Sequence, residues 1–256
     1  MVSHESQTKF AAISNQKGGI GKSAFTVLLA SYFHYLKGKN VLVVDCDYPQ
    51  FSIHSLRERD KQTVAKNETY KQLIISQFSH LKKKAYPVIT ANPDEAKDAA
   101  DSFLESSQTP IDIVFFDLPG TVNAKGIFKS IINMDYIFTP IIPDRMAMQS
   151  SMSFVSTVQD YINMNPKAPL KEIHVFWNRV NRRLPADLVN IYDKIMGQLK
   201  LRVLKTKIPD TNRYEKELTL SEKPFFRCTL FPPSAKLLKG SNLDLLAEEI
   251  WKIINA

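Results

Sequence analysis

Two lysines, three glycines and a serine fall within the seven residues Lys17-Gly18-Gly19-Ile20-Gly21-Lys22-Ser23. These types at this spacing suit the capture of a polyphosphate. Glycines let the backbone curl so that successive N–H groups face an anion. Lys22 can reach the outer phosphates, and the Ser23 hydroxyl can ligate Mg²⁺. Ile20 and Ala24 complete the backbone cradle. The common pattern G-x-x-x-x-G-K-[ST] has its first glycine where this chain has Gln16, so the run is a divergent version. A glycine-rich turn that binds nothing is the plain alternative. The flanks weigh against it: an apolar strand, Phe10–Ser14, leads in and a helix, Lys22–Leu36, leads out, which places the helix N-terminus at the anion.

Further polar residues sit at the ends of apolar runs. Val41–Asp45 reads as a buried strand, and alternation along an extended chain puts Asp45 and Asp47 on one side. The bland reading makes these carboxylates a cap for a helix over Ser52–Glu58. Ile111–Asp117 is a second apolar run closing on a carboxylate, which can hold Mg²⁺ through water. Pro119-Gly120-Thr121 then makes a flexible turn. A third run ends at Asn178, whose amide can pair a donor and an acceptor with an adenine edge.

Such residues need a frame that gathers strand ends. Short apolar runs alternate with longer amphipathic ones. Strands are expected at 10–14, 41–45, 86–90, 111–117, 136–140, 173–178 and 201–208. Helices are expected at 22–36, 52–58, 70–83, 93–106, 124–132, 147–164, 185–199, 213–218 and 243–254. The pattern predicts an α/β protein: a three-layer α/β/α, doubly wound, mostly parallel sheet of the P-loop NTPase kind, with ligands at the strands' C-terminal ends. The 256 residues, 44% of them apolar, fit one domain over 1–256. Cys46 and Cys228 are far apart and read as neither a disulfide framework nor a zinc site. The first nine residues are polar, unlike a signal peptide, and no apolar run is long enough for a transmembrane segment. A cytoplasmic protein is expected.

The net charge of +8 is unevenly spread: residues 166–240 hold 16 Lys/Arg against 7 Asp/Glu, and the rest holds 18 against 19. That basic third is a candidate for nonspecific DNA, or simply a solvated face.

The loop, with its second lysine Lys17, resembles the deviant Walker A motif of the ParA/MinD ATPases, the SIMIBI class of P-loop proteins. The resemblance implies ATP and Mg²⁺ as cofactors, slow hydrolysis to ADP and phosphate, and an ATP-dependent homodimer. Lys17 would reach the partner's phosphates, and an activating partner protein would speed turnover. It implies that Asp47 orients the attacking water, that Asp45 supports the Mg²⁺ shell alongside Ser23 and Asp117, and that Lys17, Lys22 and Asp47 are catalytic. Asn178 would read the base and Pro209-Asp210 would close over it. Tyr48, inserted before Pro49-Gln50, and Ala24, where a threonine is common, are departures. Within the family, residues 15–26 and 44–50 look most like the conjugal-transfer (TraA-like) proteins of conjugative mobile elements, which implies a role in partition or conjugal transfer of DNA. The alternatives are a MinD-like ATPase positioned on a membrane or partner, and a nucleotide-gated scaffold without DNA binding. An iron–sulfur carrier would need a cysteine pair, and Lys17 argues against most metabolic ligases. Residues 241–256 carry net −2, so the last helix reads as core-packing rather than membrane-binding.

Overall fold

The computed structural model describes residues 8–120, 125–181 and 186–256. Among these residues seven strands form one sheet: β1 (Lys9–Ile13), β2 (Val41–Asp45), β3 (Val88–Thr90), β4 (Ile113–Asp117), β5 (Tyr136–Ile141), β6 (Glu172–Trp177) and β7 (Arg202–Val203). Their order is β3-β2-β4-β1-β5-β6-β7, and every adjacent pair is parallel. The helices are α1 (Lys22–Ser31), α2 (Ser52–Ala65), α3 (Glu68–Leu81), α4 (Ala96–Ser106), α5 (Lys125–Ile132), α6 (Arg145–Met164), α7 (Ala186–Gln198), α8 (Ala235–Leu238) and α9 (Leu243–Ile254).

The apolar strand runs follow from burial on both faces, as parallel sheets require. Alternate residues of one strand feed two separate cores. Val41, Val43, Ile113 and Phe115 pack under α1 and α9 with Phe25, Phe33 and Ile250. Leu42, Val44, Val114 and Phe116 pack on the other face with Val155, Val158 and Trp177. Helix α9 buries Leu243, Leu246, Ala247, Ile250 and Ile254, so its apolar stripe is already covered. Strand β1 lies between β4 and β5, where the winding reverses, and a crevice opens beyond its C-terminal end.

Most elements fall within a few residues of their sequence expectation, and the exceptions have local causes. The sheet is wholly rather than mostly parallel. Helix α2 runs to Ala65, well past Glu58, because its inner stripe is Ile53, Leu56, Arg57, Asp60 and Val64; two charged side chains in that stripe hide it from an apolar-period reading. The expected strand 201–208 shrinks to two residues at the sheet edge. Beyond it Leu204 N–H still donates to Val175 O and Ile208 N–H to Trp177 O, without a continuous ladder. The expected helix 213–218 is a single 3₁₀ turn, Asn212–Glu215. The helix from Lys22 passes into a π turn, Tyr32–Leu36. The short helix α8 carries no periodicity that would have exposed it. Thr121 and the starts of the expected helices 124–132 and 185–199 lie outside the described residues.

Candidate functional site

The loop begins on Asn15, which is fully buried. Its amide donates to Pro140 O and to Ser151 Oγ, both at 2.8 Å, and its Oδ1 accepts from Lys17 N–H at 3.0 Å. These bonds tie the exit of β1 to β5 and α6 and fix the direction in which the loop leaves. Asn15 received no role from the sequence, and a lone asparagine before the loop is a weak signal for one. Gly21 ends the loop at φ +99°, and a Cβ there would meet Asn178 Nδ2 at 3.2 Å and the Phe25 ring at 3.3 Å. Conformation and space together demand glycine. Helix α1 starts directly after it, with its N-terminal N–H groups toward the crevice.

The two lysines of the loop occupy different surroundings. Lys22 is partly buried, and burial lowers its pKa against the opposing pull of Asp117 and then Asp47. Its Nζ lies close to Gly120, where a Cβ would be 3.1 Å away. Lys17 is exposed, and among the described residues its ammonium has no hydrogen bond or ion pair.

Three carboxylates gather at the ends of the adjacent strands β2 and β4, where Asp45 and Asp117 are register partners. Both oxygens of Asp45 are engaged: Oδ2 accepts from Ile53 and His54 N–H at 2.9 Å, and Oδ1 accepts from Asp47 N–H at 3.3 Å. Asp45 therefore caps the start of α2 and positions Asp47, the role that the plain reading had foreseen. Asp117 is the reverse case. It is fully buried, and neither oxygen has a hydrogen-bond partner among the described residues. Burial pushes its pKa up to about 7; the Ser23 hydroxyl, close by but outside hydrogen-bond geometry, holds it back together with Lys22, and Asp45 and Asp47 raise it further. A buried carboxylate without a donor fits a cation. Ser52 Oγ stands 3.5 Å from Ser23 Oγ and adds a hydroxyl that the sequence had not singled out. Among the described residues no three His, Cys, Asp or Glu come together as a metal cage. A divalent ion here would thus rest on Ser23, Asp117, water and phosphate, the usual manner of Mg²⁺.

A cleft of about 1110 Å³ opens between these elements, and Lys17, Asp45 and Asp117 are not part of its lining. Gly18, Gly19, Gly21, Lys22, Ser23 and Ala24 form one wall, and Ile20 turns into the core behind it. Asp47 and Gly120 border it. Asn178, Pro209 and Asp210 lie at the other end. Asn178 is buried, and its amide donates to Ile20 O at 2.8 Å while its Oδ1 accepts from Arg179 N–H. It thus ties β6 to the phosphate loop. Pro209 bridges Val180, and Asp210 N–H donates to Val180 O, which holds the 209–210 turn against the end of β6. Tyr214 and Arg227 also line the cleft; no local motif could have revealed either.

A parallel α/β sheet with a glycine loop between its central strand and the following helix, and strand-end carboxylates facing that loop, defines the P-loop nucleotide-binding class. Residues 11–223 match the model of the CobQ/CobB/MinD/ParA nucleotide binding domain. The chain belongs to this family. An uncharacterised protein of Methanocaldococcus jannaschii is 25% identical, over 67% of this chain and 73% of its own length. Among solved structures, the MinD cell division protein of Aquifex aeolicus superposes with a TM-score of 0.59 at 16% identity, covering 97% of this chain and 98% of that one. A plasmid partition protein of Borrelia burgdorferi bound to AMPPNP gives 0.58 at 18%, covering 96% and 98%. Cobyrinic acid a,c-diamide synthase of Mycobacterium smegmatis with ADP and magnesium gives 0.54 at 18%, covering 81% and 89%. At these identities the likeness speaks for the fold. Among the described residues no helix is long and apolar enough to cross a membrane.

Proposed function

We propose that this protein is a slow, Mg²⁺-dependent ATPase whose ATP-bound form is a homodimer, acting in partition or conjugal transfer of DNA. The observation that carries the reading is the contrast between the two loop lysines. Lys22 lies within the cleft, near Asp47 and Asp117. Lys17, five positions earlier, is exposed and unengaged, as a residue serving a second subunit's phosphates would be.

In this reading the loop amides and Lys22 bind and orient the γ-phosphate. Asp47, held by Asp45 at the start of α2, orients the attacking water. Ser23 and Asp117 hold Mg²⁺, with Asp45 supporting that shell by positioning its neighbours. Mg²⁺, when bound, would neutralise charge on the phosphates. Asn178 and the Pro209-Asp210 turn bound the end where the base lies. The partner's Lys17 completes the site, so hydrolysis follows dimerisation and an activating protein speeds it.

Sedimentation with ATP and Mg²⁺ tests this. The Asp47→Ala protein should dimerise, and adding Lys17→Ala should return it to monomer. A monomeric Asp47→Ala protein at saturating ATP would sink the reading.

The DNA part of the proposal rests on residues 166–240, and the fold trims that surface. Arg213 donates to Leu237 O and Lys239 O, Lys207 pairs with Asp193, and Arg202 pairs with Glu172. Lys167, Arg179, Lys194, Lys200, Lys205, Lys216, Lys223, Lys236 and Lys239 remain exposed. Duplex binding measured with ATP across a salt series should fall linearly on a log–log plot. Absence of binding at low salt removes DNA and favours a partner-positioning role.

A further inference from the structure

One wall of the cleft comes from a stretch in which no motif is legible. Arg227 reaches the cleft from the C-terminal segment, which pairs locally at Glu217–Arg227. Its Nε and Nη2 both donate to Glu217 Oε1, at 3.1 and 2.5 Å. The other oxygen of Glu217 accepts from Arg59 Nη1 of α2 at 3.1 Å. Two guanidiniums thus share one carboxylate, and a net positive charge stays at this wall. The Arg227 side chain is 27% exposed, so that charge is only partly screened. Among the described residues its Nη1 makes no hydrogen bond.

Several neighbours frame what the guanidinium can meet. Asp47, Asp210 and Glu215 also line the cleft and need a counter-charge when an anion enters. Ala24, in the first turn of α1, has no hydroxyl to offer a phosphate. Phe226, next to Arg227, packs edge-on against Tyr214 at 5.1 Å, and Tyr214 packs on Phe25 of α1 at 5.8 Å. The aromatic stack fixes this wall relative to the helix that carries Lys22.

We propose that Arg227 is a nucleotide-binding residue whose free Nη1 donates to a phosphate oxygen of the bound nucleotide, while Glu217 holds the guanidinium plane. A rigid planar fork with unused donors suits phosphate better than any neutral group. The inference rests on the cleft being the nucleotide site.

Calorimetric titration of the full chain with ADP, ATP and adenosine, each with Mg²⁺, tests it. Arg227→Gln should weaken ADP and ATP about ten-fold or more, the scale of one charged hydrogen bond, and leave adenosine unchanged. Glu217→Gln should weaken ADP less than Arg227→Gln does. Unchanged ADP affinity in Arg227→Gln overturns the assignment, and so does an equal loss for adenosine. Where Arg227→Gln lowers the melting temperature, Arg227→Lys decides, since it keeps the charge and loses the fork. A drop in ADP affinity with adenosine unmoved supports the proposal, and no drop overturns it. A wild-type protein that binds neither ADP nor ATP would instead remove the nucleotide site itself.

Discussion

The two walls of the cleft are built by opposite rules. The phosphate wall comes from one short stretch, Gln16 to Phe25, whose backbone supplies the donors. The far wall gathers Asn178, Pro209, Tyr214 and Arg227 from four places in the chain. A nest of backbone N–H groups can form only from neighbours in sequence, so it leaves a motif. Side-chain contacts to a base, ribose or single phosphate can come from anywhere that packing delivers them, so they leave none.

The anchoring differs in the same way. The phosphate wall hangs on Asn15, tied to Pro140 O and Ser151 Oγ. The Arg227 end of the far wall hangs on a buried clamp around Thr229. Arg57 donates from Nε to Thr229 Oγ1 at 2.9 Å and from Nη1 to Tyr86 O at 2.8 Å. Asp60 accepts from Thr229 N–H and Oγ at 2.7 Å, and the Tyr35 hydroxyl donates to Thr229 O. This clamp pins the C-terminal segment to α1 and α2.

If the walls are separately anchored, they should break separately. The largest effect is expected for Asp60→Ala, which leaves Arg57 buried without its nearby carboxylate. It should cost about 3 kcal/mol and lower the melting temperature by roughly 6–12 °C. An unchanged melting curve would show that the clamp holds nothing. Lys22→Ala should act on the other wall alone. Calorimetry should find ATP affinity reduced by about 100-fold, near 2.7 kcal/mol, with the apo melting temperature nearly unmoved. A large loss of apo stability would mean that Lys22 is structural. Asn15→Ala should do some of both, because it strips the donor from Pro140 O and the acceptor from Lys17 N–H. A stability loss of about 1–2 kcal/mol is expected, together with weaker ATP binding; a stability loss with ATP affinity intact would detach Asn15 from the site.

The smallest expected effect is a pH dependence at His34, which packs edge-on against Tyr35 and Tyr86 of the clamp. His34 is buried with Nε2 on Lys84 O, and desolvation lowers its pKa to about 4. The folded state therefore keeps His34 neutral where the unfolded chain takes up a proton. Its contribution is present above about pH 6.5 and is lost as pH falls from there toward 4. Replacing His34 by Gln should flatten the fall in melting temperature between pH 6.5 and 4.5. An equal slope in the variant would assign the whole dependence to other groups.

Much of this architecture was readable before any coordinates. The runs ending at Asp45, Asp117 and Asn178 are strands because their β-branched and aromatic residues suit a sheet buried on both faces. Asn178 then lines the cleft and Asp45 and Asp117 meet at neighbouring strand ends, since parallel strands end together. What escaped was decided by how the chain folds back on itself, over short separations as well as long ones. Asp45 and Asp117 look alike as strand-terminal carboxylates, yet one caps a helix and the other has no donor among the described residues. Only the path of the chain after Asp47, which brings the first N–H groups of α2 back to Asp45, separates them.

By itself the sequence determined the phosphate loop, the parallel α/β frame and the family, because each is written in local spacing: glycines for a nest, apolar runs for strands, a second lysine for the divergent loop. Tertiary structure alone decided that Asp117 is the unpartnered carboxylate, that Lys17 stands exposed while Lys22 lies in the cleft, and that Arg227 reaches the cleft at all. Those outcomes depend on burial and on which strand ends and loops the fold brings together, and neither leaves a trace in the spacing of neighbours.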